Sequence, residues 1–173
     1  VQQAREEWSR RLESEPMDFF VRRMEGHLDE AAARLGAFVG AGPDDLIFVE
    51  NATSGMNLVA ANIELREGDE VLCTNHEYGA VLRIWRRVCE QAGASVVVRA
   101  LPYPITSELE LVDVFFGSVT ERTRLIVVSH ITSPTALILP VEVICRRAKE
   151  LGIPVCIDGP HALAMLPVNI RRL

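Results

Sequence analysis

Short apolar runs alternate along this chain with stretches in which apolar residues recur every three to four positions. The runs are LIFVE (46–50), EVLCT (70–74), SVVVRA (95–100), RLIVVSH (124–130) and IPVCID (153–158). Each is rich in β-branched residues and bounded by turn formers, which predicts a strand. Between them the helical period predicts helices over about 54–63, 80–92, 108–119 and 141–151. Ahead of this rhythm, Trp8 and Leu12 lie four apart and predict a helix over 1–14. Pro16 breaks it, and Asp18 is expected to cap a second helix over 18–40, closed by Gly40 and Gly42-Pro43. Buried strands alternating with helices predict an α/β fold whose mainly parallel sheet is covered on both faces, a three-layer α/β/α arrangement. Ligands of such sheets bind beyond the carboxyl ends of the strands. The segments to inspect are therefore 50–55, 74–79, 129–135 and 158–161. Residues 1–42 are expected to form N-terminal helices and 43–173 the sheet domain.

Composition narrows the function classes. The 173 residues carry a net charge of −6, which favours neither nucleic acid nor an anionic membrane. The longest uncharged stretch, about 125–141, is interrupted by Ser129, His130, Thr132, Ser133 and Pro134 and is no membrane span. The opening segment is charged and helical, not a signal peptide. Cys73, Cys89, Cys145 and Cys156 show no paired spacing, so reduced thiols in the cytoplasm are expected.

Four polar segments sit at the predicted strand ends. Asn51-Ala52-Thr53-Ser54-Gly55 follows a strand and opens a helix, where free backbone N–H groups suit a phosphate; a plain N-cap by Thr53 or Ser54 is the alternative. No GxGxxG or GxxxxGKS is present. Thr74-Asn75-His76-Glu77-Tyr78-Gly79 offers a flat imidazole at His76. Ser129 to Thr135 is a hydroxyl-rich loop containing Ser133. Asp158-Gly159-Pro160-His161 places a carboxylate at the end of a strand expected to be buried on both sides, which calls for a cationic partner. A protonated pyridine nitrogen would serve. His76, Glu77, Asp158 and His161 lack the close helical pair of an HExxH metal site, and no GxSxG elbow supports a hydrolase.

The ordered motifs NATSGMN, NHEYGA, SHITSPTALILP and IDGPHA resemble class V aminotransferases of the fold-type I pyridoxal-phosphate (PLP) superfamily, in particular the isopenicillin N epimerase-like branch. The resemblance implies an aspartate aminotransferase-like large domain, here incomplete, in an enzyme that acts on an amino acid through an external aldimine and an α-carbanion. It implies that Ala52, Thr53 and Ser54 bind the PLP phosphate, that His76 stacks on the ring and that Asp158 pairs with the ring nitrogen. Ser133 and His161 stand where cysteine desulfurases have asparagine and glutamine, which argues against a desulfurase. A desulfurase or C–S lyase of the same family is nonetheless the alternative, and a lysine-less phospholigand-binding or dimer-scaffold module is the alternative outside enzymes. The family's Schiff-base lysine has no counterpart: Lys149, the one lysine, falls on the polar side of a helix ahead of Asp158. The expected reading is a fragment, inactive alone, of a protein that is a homodimer when intact.

Overall fold

The computed structural model describes residues 1–173. They form two units, residues 1–48 with 169–171 and residues 49–168 with 172–173. In the first unit, helix α1 (Gln2–Ser14) is followed by α2 (Pro16–Asp18), a π-helical turn (Phe19–Arg23) and α3 (Met24–Val39). Asp18 does not cap the second helix. Proline is favoured in the first turn, so the helix starts at Pro16 and Asp18 already has helical backbone angles (φ −66°, ψ −40°). Its carboxylate instead pairs with Arg22 at 3.2 Å and Arg23 at 2.5 Å. Trp8 meets His27 edge-on at 4.7 Å between ring centroids.

The run at 46–50 is not a strand. A strand needs a neighbour for its ladder, and none pairs with this segment. Ile47 is 77 % exposed.

The second unit holds the sheet. Strands β1 (Glu70–Thr74), β2 (Ser95–Arg99), β3 (Thr123–Ser129) and β4 (Val155–Asp158) lie in the order β2-β1-β3-β4, all parallel. Successive side chains of a strand point to opposite faces, and β1 and β3 divide their residues accordingly. Leu72, Ile126 and Val128 pack with Leu111, Val112, Phe115 and Phe116 of α6 (Glu108–Phe116) and with Ile144 and Ala148 of α7 (Val141–Glu150). Val71, Cys73, Leu125 and Val127 pack on the other face against Met56 and Ala60 of α4 (Ala52–Asn62) and against Val81, Ile84 and Trp85 of α5 (Gly79–Ala92). This is the three-layer arrangement the periodicity predicts. Helix α5 stops at Gly93, whose φ of +70° is a left-handed C-cap that lets Ala94 N–H reach the Cys89 carbonyl at 2.8 Å.

Strand β4 departs from expectation. It lies at the sheet edge and is half-buried along its length, so Asp158 ends an edge strand rather than one enclosed on both sides. The order also fixes where a ligand can enter. From β1 the chain steps outward to β2, and from β3 it steps the opposite way to β4. The switch point therefore lies between β1 and β3, and the crevice beyond their carboxyl ends is where an open α/β sheet binds ligands.

Candidate active site

At that switch point lies a cavity of about 300 Å³, lined by Ala52, Thr53, Tyr78, Val81, Ser129, Ile131, Ser133, Asp158, Pro160 and His161. The ends of β3 and β4 contribute to it, together with the turn from β1 into α5 and the start of α4. Ala52, Thr53, Ser133, Asp158 and His161, singled out from sequence, share this one cavity.

Helix α4 opens at Asn51, whose backbone is extended (φ −162°, ψ 169°) and whose Oδ1 accepts the Ser54 N–H at 2.9 Å. The Gly55 N–H goes to the Asn51 carbonyl at 3.1 Å. Asn51, not Thr53 or Ser54, is thus the N-cap. The first N–H groups of a helix have no partner within it, and with those of Ser54 and Gly55 satisfied, Ala52 and Thr53 keep theirs for an acceptor in the cavity. Ser54 does not line the cavity.

Asp158 is half-buried. Burial raises its pKa, and the nearby His161 pulls it back in part; no hydrogen bond contributes. A carboxylate in that condition is a waiting partner for a cation or a donor. Ser133 is exposed on the loop after β3, facing the same space.

His76 is not among the residues that line this cavity. It is half-buried in the turn after β1, and its Nδ1 is 2.9 Å from Thr135 Oγ1. Thr135 in turn meets Thr132 Oγ1 at 2.8 Å, and Thr132 Oγ1 accepts the Leu137 N–H at 2.9 Å. Ala136, with φ of +53°, lets the loop close on itself. The imidazole is therefore held by the loop after β3. Lys149 is exposed on α7.

Three residues lay in the flagged segments but were given no role from sequence. Tyr78 borders the cavity and is 50 % exposed. Ser129 lines it from the end of β3. Glu77, only 5 % exposed, lies beneath, with Oε1 accepting from Thr74 Oγ1 at 2.5 Å and Oε2 from Ser129 Oγ at 2.6 Å. Its local signal was the Thr-x-x-Glu spacing; Ser129, distant in sequence, could be joined to it only by the fold.

A doubly covered parallel sheet with its cavity at the switch point, bordered by a helix start and a strand-end acid, defines an α/β ligand-binding domain. The family model for class-V aminotransferases matches residues 7–173, and the chain belongs to that family. It is similar to isopenicillin N epimerase of Amycolatopsis lactamdurans, with 34 % identity over 94 % of this chain and 42 % of that protein. In fold it resembles the crystal structure of a cysteine desulfurase from Escherichia coli (TM-score 0.75, 24 % identity, 88 % of this chain and 39 % of that one). It also resembles a variant of C-DES solved with glycine covalently linked to its PLP cofactor (TM-score 0.76, 21 % identity, 88 % of this chain and 41 % of that one). The chain spans about two fifths of the length of these relatives. No helix is long and apolar enough to cross a membrane.

Proposed function

We propose that the cavity binds pyridoxal phosphate and that the chain is the cofactor-binding part of an enzyme acting at the α-carbon of an amino acid. The observation that carries this reading is the half-buried Asp158 carboxyl without a hydrogen bond, set in the same cavity as the free Ala52 and Thr53 N–H groups. The cavity thus offers donors to an anion and an acid to a donor or cation. PLP carries a phosphate and a protonatable ring nitrogen, and about 300 Å³ lies at the small end of the usual range for ligand cavities.

The residues present fit the group. Ala52 and Thr53 would donate to the phosphate at the positive end of α4. Asp158 would accept from the ring nitrogen and hold its proton, with His161 stabilising the carboxylate. Ser133 and His161 would serve the ring oxygen, and Tyr78 lines the same cavity. His76, held through Nδ1 by Thr135, would stack on the ring. When bound, PLP supplies an electron sink for charge developing at the substrate α-carbon.

No lysine lines this cavity, so this chain would hold PLP reversibly. The similarity to isopenicillin N epimerase favours an epimerase-type reaction for the whole protein, with a desulfurase or C–S lyase as the second reading, favoured by the fold-level likeness to those enzymes. The proposal extends to a cytoplasmic homodimer with an amino acid as its small-molecule substrate.

Titration of the chain with PLP, followed by cofactor absorbance and fluorescence, tests the reading. Saturable binding that inorganic phosphate competes away, with no mass added at the cavity after borohydride reduction, is expected. Absence of saturable binding overturns it.

A further inference from the structure

Glu77 is a buried acid that the proposed function does not use. The carboxyl sits under the turn after β1, and both oxygens are occupied by hydroxyls, Thr74 Oγ1 at 2.5 Å and Ser129 Oγ at 2.6 Å. Neither is charged, and no arginine, lysine or histidine pairs with it. By contrast, the buried acids at the other end of the sheet, Glu70 and Asp69, pair with Arg122 at 2.6 Å and Arg124 at 3.1 Å. An ionised carboxylate this deep is costly unless something offsets it.

The hydrogen inventory shows what Glu77 controls. Thr74 Oγ1 accepts the His76 N–H at 3.1 Å, so its single hydrogen is free to go to Glu77. Ser129 has one hydroxyl hydrogen and, in this geometry, also gives it to Glu77. Ser129 lines the cavity and lies in register with Asp158 on the neighbouring strand. Ionised Glu77 therefore holds the Ser129 hydroxyl hydrogen, so that this cavity-lining residue has no hydrogen left to donate to a ligand. Asp158 is near enough that its charge adds to the rise in the Glu77 pKa, a smaller cause than burial.

Resting on the PLP-binding reading, we propose that Glu77 is a positioning residue for the Asp158 site: its charge, delivered through Ser129, makes the cavity select a cationic ring nitrogen more strongly than Asp158 alone would. The cation in turn supplies the compensation that the two acids lack. The other titratable groups that feel this pair are the thiols of Cys73 and Cys156, and His161. Burial is the chief cause that pushes both thiols up, Cys156 to about 11, so they stay neutral through the range in question. Burial also raises Glu77 itself, while the Ser129 and Thr74 hydroxyls lower it.

The test is a pair of NMR titrations on wild-type protein, Glu77→Gln and Ser129→Ala. In the ligand-free protein, the side-chain carboxyl of Asp158 is followed against pH. In the PLP complex, the ring nitrogen is followed with ¹⁵N-labelled cofactor. Glu77→Gln keeps the side-chain shape and removes the charge. It is expected to lower the midpoints of both Asp158 and the bound ring nitrogen by about one pH unit, a tenfold change in each equilibrium. Ser129→Ala removes the hydroxyl and with it the bond that most favours ionised Glu77, so above the raised Glu77 midpoint it is expected to leave the Asp158 midpoint high while the ring-nitrogen midpoint falls. An Asp158 midpoint unmoved by Glu77→Gln overturns the proposal, as does a bound ring nitrogen indifferent to both substitutions. If Glu77→Gln fails to fold, Glu77→Asp, which keeps the charge but shortens its reach to Ser129, must lower the ring-nitrogen midpoint or the proposal falls. Failure of wild-type protein to bind PLP removes the cofactor reading, while the ligand-free Asp158 titration still decides whether Glu77 is coupled to that acid.

Discussion

Asp158→Asn perturbs fold and ligand in opposite directions. Burial raises the Asp158 pKa, with His161 as the counterweight. An acid whose folded pKa lies above its unfolded value contributes stability that is fully present below the unfolded pKa and is lost as pH rises through the folded one. At neutral pH the wild-type carboxylate is therefore a liability to the ligand-free fold. Asparagine is polar but uncharged, so the substitution relieves only the cost of the unpaired charge; a buried group left without a partner costs about 1–3 kcal/mol, more when charged. Half-burial puts Asp158 near the lower end, about 1 kcal/mol, which for a chain of this size is about 2–4 °C in melting temperature. Ligand-free Asp158→Asn should melt that much higher at neutral pH, and the gap should close toward about pH 4 as the native carboxyl protonates. With PLP the sign reverses. The variant loses a charge-assisted hydrogen bond of about 1.5–3 kcal/mol, so affinity should fall about 10- to 100-fold. Circular-dichroism melts across the pH range, with and without PLP, read both effects from the same samples. A ligand-free variant that melts lower than wild type would show that the fold itself satisfies the carboxyl. Unchanged PLP affinity would remove Asp158 from the binding site.

Three further outcomes follow from the same contacts. Phe115→Ala empties a fully buried position between the sheet and α6 and should cost about 3–5 kcal/mol in urea unfolding, with secondary structure retained at low denaturant. Asn51→Ala removes the cap of α4, and should cost about 1 kcal/mol and weaken inorganic phosphate binding along with PLP binding. Burial pushes the thiols of Cys73, Cys89, Cys145 and Cys156 upward, Cys89 to about 11, so all four should react slowly with a thiol reagent near pH 8 in the native state and at once in denaturant.

The sheet was legible because both of its faces are covered. Buried parallel strands such as 124–130 read as unbroken apolar runs, and the helices between them carry a clear one-sided stripe. The same logic misled at 46–50, where an equally apolar run has no neighbouring strand to pair with and stays exposed at Ile47. The start of α4 was legible as an anion site, but not its cap, since Asn51, Thr53 and Ser54 are all good caps and only the extended backbone of Asn51 decides between them. Asp158 drew notice as an acid ending an apolar run, although its edge position leaves it less enclosed than the run implied. His76 was read for its ring, and its tie to Thr135 across 59 positions of sequence was invisible. Glu77 was hidden for a similar reason: its meaning lies in Ser129, 52 positions away. Local chemistry is written in the motifs, whereas the partners that orient it come from other strands.

One cavity offers amide donors and an acid to the same bound molecule. A crystal structure of this protein grown with PLP tests it most directly. The account predicts the phosphate against the Ala52 and Thr53 N–H groups and the ring nitrogen against the Asp158 carboxyl. A phosphate seated away from the start of α4, or a ring nitrogen turned from Asp158 toward solvent, would contradict it.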